Sequence, residues 1–458
     1  MSALAPKLAV ARAVGGLARA AGRGGGTSLP GKLLMRLDPQ AIRALAGRLP
    51  QGSVAISATN GKTTTAAMVA AILERGGTRL VHNRAGANMA GGIASTLLKA
   101  ARGGGIDGDL GLFEVDELWL PQMVEELRPR AVLLSNLFRD QLDRYGELET
   151  IAERWAAVVA ALPAQTRLVL NADDPLVADL GRARERVTTF GVEDDAMALA
   201  QMQHAADSKH CRRCGHAYVY EAVYLGHLGR YRCPHCGARR PELDVVARDV
   251  RLDGTRDATF TLQIGGASAT VTLPLPGLYN VYNALAAAAL CRALAVPLEQ
   301  IAAGLEAVEA VFGRAETIAL DGRPLSILLI KNPAGANEVL RTLALEDGPL
   351  DLLAVLNDNT ADGRDVSWVW DADFELLAGR VRRITCSGAR AAELAVRLKY
   401  AGIEPARLVV VPELDRALDA ARADGDPARP LYALPTYTAL LALRELLARR
   451  GAAPEYWR

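Results

Sequence analysis

Short apolar runs separated by longer mixed stretches set the pattern of the chain. Ser53–Ser57 (SVAIS) reads as a buried strand, and strand-like runs recur at Arg79–His82, Leu110–Glu114, Ala131–Ser135, Arg167–Leu170 and Val187–Phe190. Helical stretches lie between them, the clearest being Thr64–Arg75. Such βα alternation predicts a mainly parallel sheet covered on both faces. Residues 244–275 alternate as short strands, and Asn283–Leu294 is a strongly apolar helix. A second α/β pattern starts near Ile318, with strands expected at Leu325–Ile330, Leu352–Leu356, Arg383–Cys386, Leu408–Val411 and Pro430–Ala433. Ahead of the first strand, Leu29-Pro30-Gly31 is expected to break the chain and Ala41–Leu49 to form a short helix.

At 458 residues the chain is too long for one ordinary core. The pattern divides it into an N-terminal basic helical segment (1–50), a central α/β domain (51–316) and a C-terminal Rossmann-like α/β domain (317–458). An island rich in Cys, His and Tyr, about residues 205–241, reads as an insertion in the central domain. The net charge of +1 argues against the basic field that drives nonspecific nucleic-acid binding. That disfavours a zinc-ribbon nucleic-acid-binding NTPase, although the island carries several arginines. No apolar run reaches the length that spans a bilayer. Residues 1–36 carry Lys7, Arg12, Arg19, Arg23, Lys32 and Arg36 before the first acid, Asp38. This amphipathic basic stretch fits a helix packed on the domain that follows, and also a helix lying on a membrane surface or a transit segment. It has no apolar secretory core, so a cytoplasmic location is expected.

Chemistry enters at Ser57-Ala58-Thr59-Asn60-Gly61-Lys62-Thr63-Thr64-Thr65, between strand and helix. A turn there aims backbone N–H groups and the positive helix end at a phosphate. Lys62 would add a charge on the β- and γ-phosphates, touching phosphate alone on a solvent-facing loop, and the Thr63 hydroxyl would reach Mg²⁺. The strict phosphate-loop pattern is not met, because Ile56 stands where its first glycine belongs. Cys211-x-x-Cys214 and Cys233-x-x-Cys236, each followed by glycine, give two knuckles able to close a tetrahedral Cys₄ zinc site. A closed site of that kind is structural. His210, His216 and His235 read as bystanders, and Cys291 and Cys386 as buried thiols.

The T-N-G-K-T-T-T loop resembles that of the Mur ligase and folylpolyglutamate synthetase superfamily, with Ala58 replacing a glycine; this is tolerable if its φ is negative. The resemblance implies an ATP-dependent ligase with a Mur-ligase-type central domain. ATP would lie on Thr59, Asn60, Gly61, Lys62, Thr63 and Thr64, with Mg²⁺ on Thr63 and Glu114. Asn280 and Asn283, in Gly277–Ala288, resemble the superfamily's adenine-contacting asparagines. Gly313-Arg314-Ala315-Glu316 resembles its G-R-x-E turn, whose arginine (here Arg314) approaches the nucleotide. No lysine occurs between Lys99 and Lys209, so the carbamoylated lysine of many Mur ligases is absent or replaced.

Within the superfamily, the cysteine island and several polar strings resemble the MurT family. The strings are His82–Met89, Asn136–Glu147, Asn171–Pro175, Lys331–Gly335 and Asn357–Trp368. That resemblance implies amidation of the α-carboxyl of D-Glu in the lipid II stem peptide, through an acyl phosphate, at the inner face of the membrane. Ammonia would come from a GatD-like glutaminase partner that contacts the C-terminal domain and takes its triad acid from this chain. The matching position is Asp365, with Asp362 as nearest rival; read alone, Asp365 is a helix N-cap. The alternative is a stand-alone amino-acid ligase of Mur or folylpolyglutamate type.

Overall fold

The computed structural model describes residues 4–20, 28–83, 87–140, 148–203, 206–309, 314–423 and 425–453. Its larger sheet has nine strands. In spatial order they are Ala267–Leu273, Asp257–Ile264, Val245–Asp253, Val187–Val192, Arg167–Asn171, Ala131–Leu134, Ser53–Ser57, Leu110–Glu114 and Leu80–His82. Neighbours from Val245–Asp253 to Leu80–His82 pair in parallel. The first two strands add an antiparallel edge. The central strands are buried at every position, which is why they read as unbroken apolar runs. Val54 and Ile56 point into one core with the helices Lys62–Arg75 and Leu278–Ala293. Ala55 points into the other, with Ala90–Ala100, Leu120–Leu127 and Leu148–Ala161. The α/β architecture expected from the alternation is the one observed.

The N-terminal basic helix, Leu4–Ala20, packs on this second core through Leu4, Leu8 and Ala11. Lys7 pairs with Asp38 at 3.0 Å, and Arg12 donates to the carbonyls of Leu98 and Ala101. Leu29-Pro30-Gly31 does not break the chain as expected; it opens the helix Leu29–Leu37. Proline is at home in a first helical turn, where its missing N–H has no intrahelical partner to lose. Gly31 is there for closeness: a Cβ would overlap the Gly91 carbonyl oxygen of the facing helix. Among the described residues, no helix is long and apolar enough to cross a membrane.

The second sheet has six strands in the order Arg314–Leu320, Arg323–Leu328, Leu431–Pro435, Leu350–Val355, Val381–Ser387 and Leu408–Val410. All its pairings are parallel except the first. That antiparallel hairpin corrects the reading of Gly313–Glu316 as a turn: Gly313 lies outside the described residues, and Arg314–Glu316 belong to a strand. The true turn is Asp321-Gly322, with φ of 47° and 83°, the doubly positive geometry that suits a two-residue hairpin. Cys291 and Cys386 are fully buried in a helix and a strand, as expected. Burial pushes the Cys386 thiol up to about 12.

The cysteine island forms a separate antiparallel hairpin, Val219–Leu225 with Leu228–Arg232, flanked by the two knuckles. Cys211 N–H bonds the His216 carbonyl, and Cys233 N–H the Ala238 carbonyl. Gly215 and Gly237 both adopt φ of +72°, the left-handed step that each knuckle requires.

Candidate active site

Strand Ser53–Ser57 ends in the loop, and the helix begins at Lys62 with Gly61 as its cap at φ 86°. A side chain at 61 would also collide with Asn283, whose Oδ1 occupies the place a Cβ would take. Positive φ falls on Gly61 and not on Ala58, so the alanine substitution meets its condition. The loop is held from outside itself. Thr59 N–H bonds the Asn136 carbonyl at 2.9 Å, and the Asn136 side chain bonds Asn60 N–H and the Asn60 carbonyl at 2.9 and 3.0 Å. Asn60 then exchanges side-chain amide bonds with Asn332, at 3.0 and 3.3 Å, across to the C-terminal unit. Lys331, beside it, donates to Asp140 at 2.5 Å and to the Thr59 carbonyl at 3.3 Å.

Lys62 is not solvent-facing. Its side chain is buried, with Nζ 2.8 Å from Glu117 Oε2 and bonded to the Ala58 carbonyl. Burial alone would depress the ammonium's pKa; pairing with Glu117, helped by Glu114 and Asp116, outweighs it and raises the pKa above the usual lysine value. The expectation that Lys62 touches phosphate alone is therefore corrected. Glu117 comes from the segment after the neighbouring strand, a contact across 55 residues that no local signal announces.

Glu114 ends the strand beside the loop strand, in register with Ile56. Asn83 clamps its backbone at both ends: Glu114 N–H bonds Asn83 Oδ1 at 2.9 Å, and Asn83 Nδ2 donates to the Glu114 carbonyl at 2.8 Å. The residue is 2% exposed, and its Oε2 is buried with no hydrogen-bond partner among the described residues. A buried carboxylate oxygen without a donor is costly unless a cation meets it. Glu114, with the half-buried Thr63 one residue into the loop helix, therefore suits a divalent ion. Asn83→Ala should cost about 2–4 kcal/mol, because it strands two buried backbone groups; urea titration of the variant measures it.

Beside the loop lies a cleft lined by Asn60, Gly61, Thr64, Asn283, Tyr279 and Phe138 on the central unit and by Leu328 and Val339 on the C-terminal one. Of the two asparagines, Asn283 lines it, while Asn280 sits behind. Asn280 accepts a bond from Asn283 Nδ2 at 3.0 Å and donates to the Pro276 carbonyl at 2.8 Å. The Arg314 side chain lies outside the described residues, as do Arg84–Gly86 and Gln141–Glu147 of the polar strings.

Further polar residues tie the ribbon to this region. Asp173 is fully buried, which pushes its pKa up to about 6 against the pull of Arg240 at 3.0 Å and the Tyr282 hydroxyl at 2.7 Å. Asp174 caps the short helix Pro175–Asp179 and also accepts from Leu137 N–H. The four cysteine sulfurs all lie within 4.8 Å of one another, close enough for one ion about 2.3 Å from each to meet all four.

Asp362 and Asp365 stand apart, on the loop after Leu350–Val355. Asp362 is buried, and both its oxygens are taken by Thr438, through N–H at 2.7 Å and the hydroxyl at 2.5 Å. Asp365 is exposed and is held by Ser367, whose side chain and N–H, the latter at 2.8 Å, lower its pKa.

Two family models match the chain: the Mur ligase middle domain over residues 56–233 and the MurT ligase C-terminal domain over residues 329–440. The chain is 33% identical over 435 residues to the MurT subunit of the glutamine-hydrolyzing lipid II isoglutaminyl synthase of Streptococcus pneumoniae, covering 93% of each. In fold it is similar to a pseudomurein peptide ligase type C from Methanothermus fervidus. The TM-score is 0.68 at 23% identity, with 89% of this chain and 80% of that one covered. It is also similar to MurF ligase from Thermotoga maritima in complex with ADP, with a TM-score of 0.64 at 15% identity and 90% and 84% covered.

Proposed function

This chain belongs to the MurT family, and from that premise we propose that it is the ATP-using subunit of a glutamine-hydrolysing lipid II isoglutaminyl synthase. The observation that carries the reading is the pairing of a phosphate-type loop with a buried Glu114 oxygen on the adjacent strand that has no hydrogen-bond partner among the described residues. The loop's N–H groups and Lys62 hold the phosphates of ATP. Thr63 and Glu114 hold Mg²⁺, which supplies charge neutralisation on the phosphate oxygens when bound. An oxygen of the D-Glu α-carboxylate attacks the γ-phosphorus, the bond to the β-phosphate oxygen breaks, and ADP leaves. Ammonia then attacks the acyl carbon, and inorganic phosphate departs as the acyl C–O bond breaks, leaving D-isoglutamine. The protein's work is positioning and electrostatics, since the phosphoryl group carries its own reactivity.

We assign the ammonia supply to a GatD-like glutaminase subunit, with Asp365 as the carboxylate this chain lends it. The C-terminal unit, which takes in the strand Arg314–Leu320 and so begins slightly ahead of the expected boundary at 317, is assigned as the contact for that partner. A lipid-linked substrate would bring the complex to the inner membrane surface. Mass spectrometry of lipid II incubated with ATP and ammonium chloride tests the reading. Conversion of one carboxyl to a carboxamide is expected; a product formed only with an added amino acid would favour the stand-alone ligase instead.

The cysteine cluster is proposed to hold one structural zinc per chain, because two short-turn knuckles and no open position suit a closed site. Elemental analysis of reduced, freshly purified protein should find one equivalent. Its absence would leave four reduced thiols in place of a metal site.

A further inference from the structure

The hairpin that carries the cysteine knuckles does not end at the surface. Its tip, Gly226-His227, is driven into the molecule. His227 is fully buried, its ring 4.6 Å from that of Phe138 and its Nε2 3.4 Å from Asp174 Oδ2. A Cβ at Gly226, whose φ is +58°, would meet the Phe138 ring at 2.8 Å, so the approach is as close as glycine allows. Gly226 N–H is held by Gln203 Oε1 at 2.6 Å. The residues on either side of the tip, Leu225 and Leu228, line the same cleft as Gly61 and Asn283.

The hairpin is also fixed to both halves of the molecule. Arg240, just past the second knuckle, bridges Asp173 and Glu193 at 3.0 Å each. Arg341, on the helix Pro333–Leu343 of the C-terminal unit, donates to the Tyr224 carbonyl at 2.9 Å. The cleft therefore has polar groups where the phosphate loop runs and an apolar wall to which the ribbon adds Leu225 and Leu228. A planar aromatic base beside a phosphate site needs that combination: apolar area for the ring and a few fixed polar groups for orientation.

We propose that Leu225 and Leu228 of the cysteine ribbon form the seat for the nucleotide's base, so that metal binding at the knuckles and nucleotide binding at the loop are thermodynamically coupled. The proposal rests on the reading of the Lys62 loop as a phosphate site. The metal fixes the base of the hairpin, the hairpin fixes its tip, and the tip completes the cleft. Coupling of this kind is reciprocal: ADP must hold the metal more tightly by the same factor as the metal tightens ADP.

The test uses the full-length, zinc-loaded chain and two probes, ADP and inorganic pyrophosphate, followed by calorimetric titration. Leu225→Ala/Leu228→Ala should weaken ADP by about tenfold or more, because the base no longer has apolar area to cover, and leave pyrophosphate within about twofold. Zinc content is measured on the same sample; if the double variant sheds zinc, the single Leu225→Ala makes the same comparison. In the unmodified protein, saturating ADP should shift the equilibrium transfer of zinc between the chain and a chelating dye by about fivefold or more in the chain's favour, a readout that needs no turnover. ADP affinity unchanged in the leucine variants and zinc transfer indifferent to ADP would overturn the proposal, provided Lys62→Ala still abolishes binding of both probes. If Lys62→Ala leaves both affinities intact, the phosphate-loop reading falls, and the base seat with it.

Discussion

Lys62→Ala is expected to reduce ATP-dependent amidation to a few percent of the parent rate or less, with ammonium chloride or glutamine as nitrogen source alike. Without nucleotide, the ammonium is buried against Glu117 and the Ala58 carbonyl, at the foot of the loop helix. It is thus kept charged and close to where the phosphates would bind, and alanine removes the one cation the loop itself supplies. The burial adds a second effect. Removing one partner of a buried ion pair leaves the other charge without compensation, typically at a cost of about 3–5 kcal/mol, unless the stranded carboxylate takes up a proton. The variant should therefore also unfold at lower denaturant. The double variant Lys62→Met/Glu117→Gln separates the two effects, because it removes both charges while keeping most of the volume. Recovered stability with turnover still absent is the expected result. Turnover well above a few percent in either variant would take Lys62 out of the phosphate site.

The second large effect is expected at Asp365. In a Cys–His–Asp arrangement the acid fixes the imidazole's tautomer and stabilises its cation, and Asp→Asn can cost about 10⁴ in rate. Asp365 is built for an external partner in a way Asp362 is not. It is exposed and ionised, with Ser367 drawing on it through its side chain and N–H, whereas Asp362 is buried with both oxygens committed to Thr438. Asparagine at 365 keeps an oxygen for Ser367, so the local turn survives and stability should scarcely move. Glutamine-dependent amidation should then collapse while ammonium-dependent amidation continues, since the acyl phosphate needs only a nucleophile. The ratio of the two rates is the measurement. If Asp365 merely caps the turn Ser367–Trp370, the ratio stays constant, and Asp365 leaves the active site of the partner.

The sequence was most informative where local chemistry decides structure. Buried parallel strands must be apolar throughout, so Ser53–Ser57 and its neighbours stood out within a residue or two of their observed ends. The knuckles were legible because two thiols need a fixed spacing and a left-handed residue, supplied by Gly215 and Gly237. The loop was legible for a similar reason, with Gly61 required by both φ and the closeness of Asn283.

What escaped was set by tertiary neighbours. Glu117 looked like one acid of several after a strand; only the adjacency of two parallel strands puts it on Lys62. Arg314–Glu316 resembled a turn because the paired strand that extends them lies beyond the Asp321-Gly322 reversal. The N-terminal charges looked free for a surface, yet Lys7 and Arg12 are spent on Asp38 and on backbone carbonyls. The leucines flanking Gly226-His227 carried no signal at all, since a hairpin tip is ordinarily a surface feature.

The amide exchange between Asn60 and Asn332 spans 272 residues of chain, and this has a bearing on biosynthesis. The strand, loop and helix around Lys62 emerge early, but the contact that fixes Asn60 cannot form until Asn332 has left the ribosome. At about 5–20 residues per second, that interval is roughly a quarter of a minute to a minute. Throughout it Asn60 lacks its partner and Lys331 cannot reach Asp140 or the Thr59 carbonyl. The nucleotide cleft therefore matures only after the last strand of the sheet beneath it, Ala267–Leu273, has been made. A nascent chain arrested before residue 331 would carry a folded central sheet whose loop still lacks the contacts from the C-terminal unit.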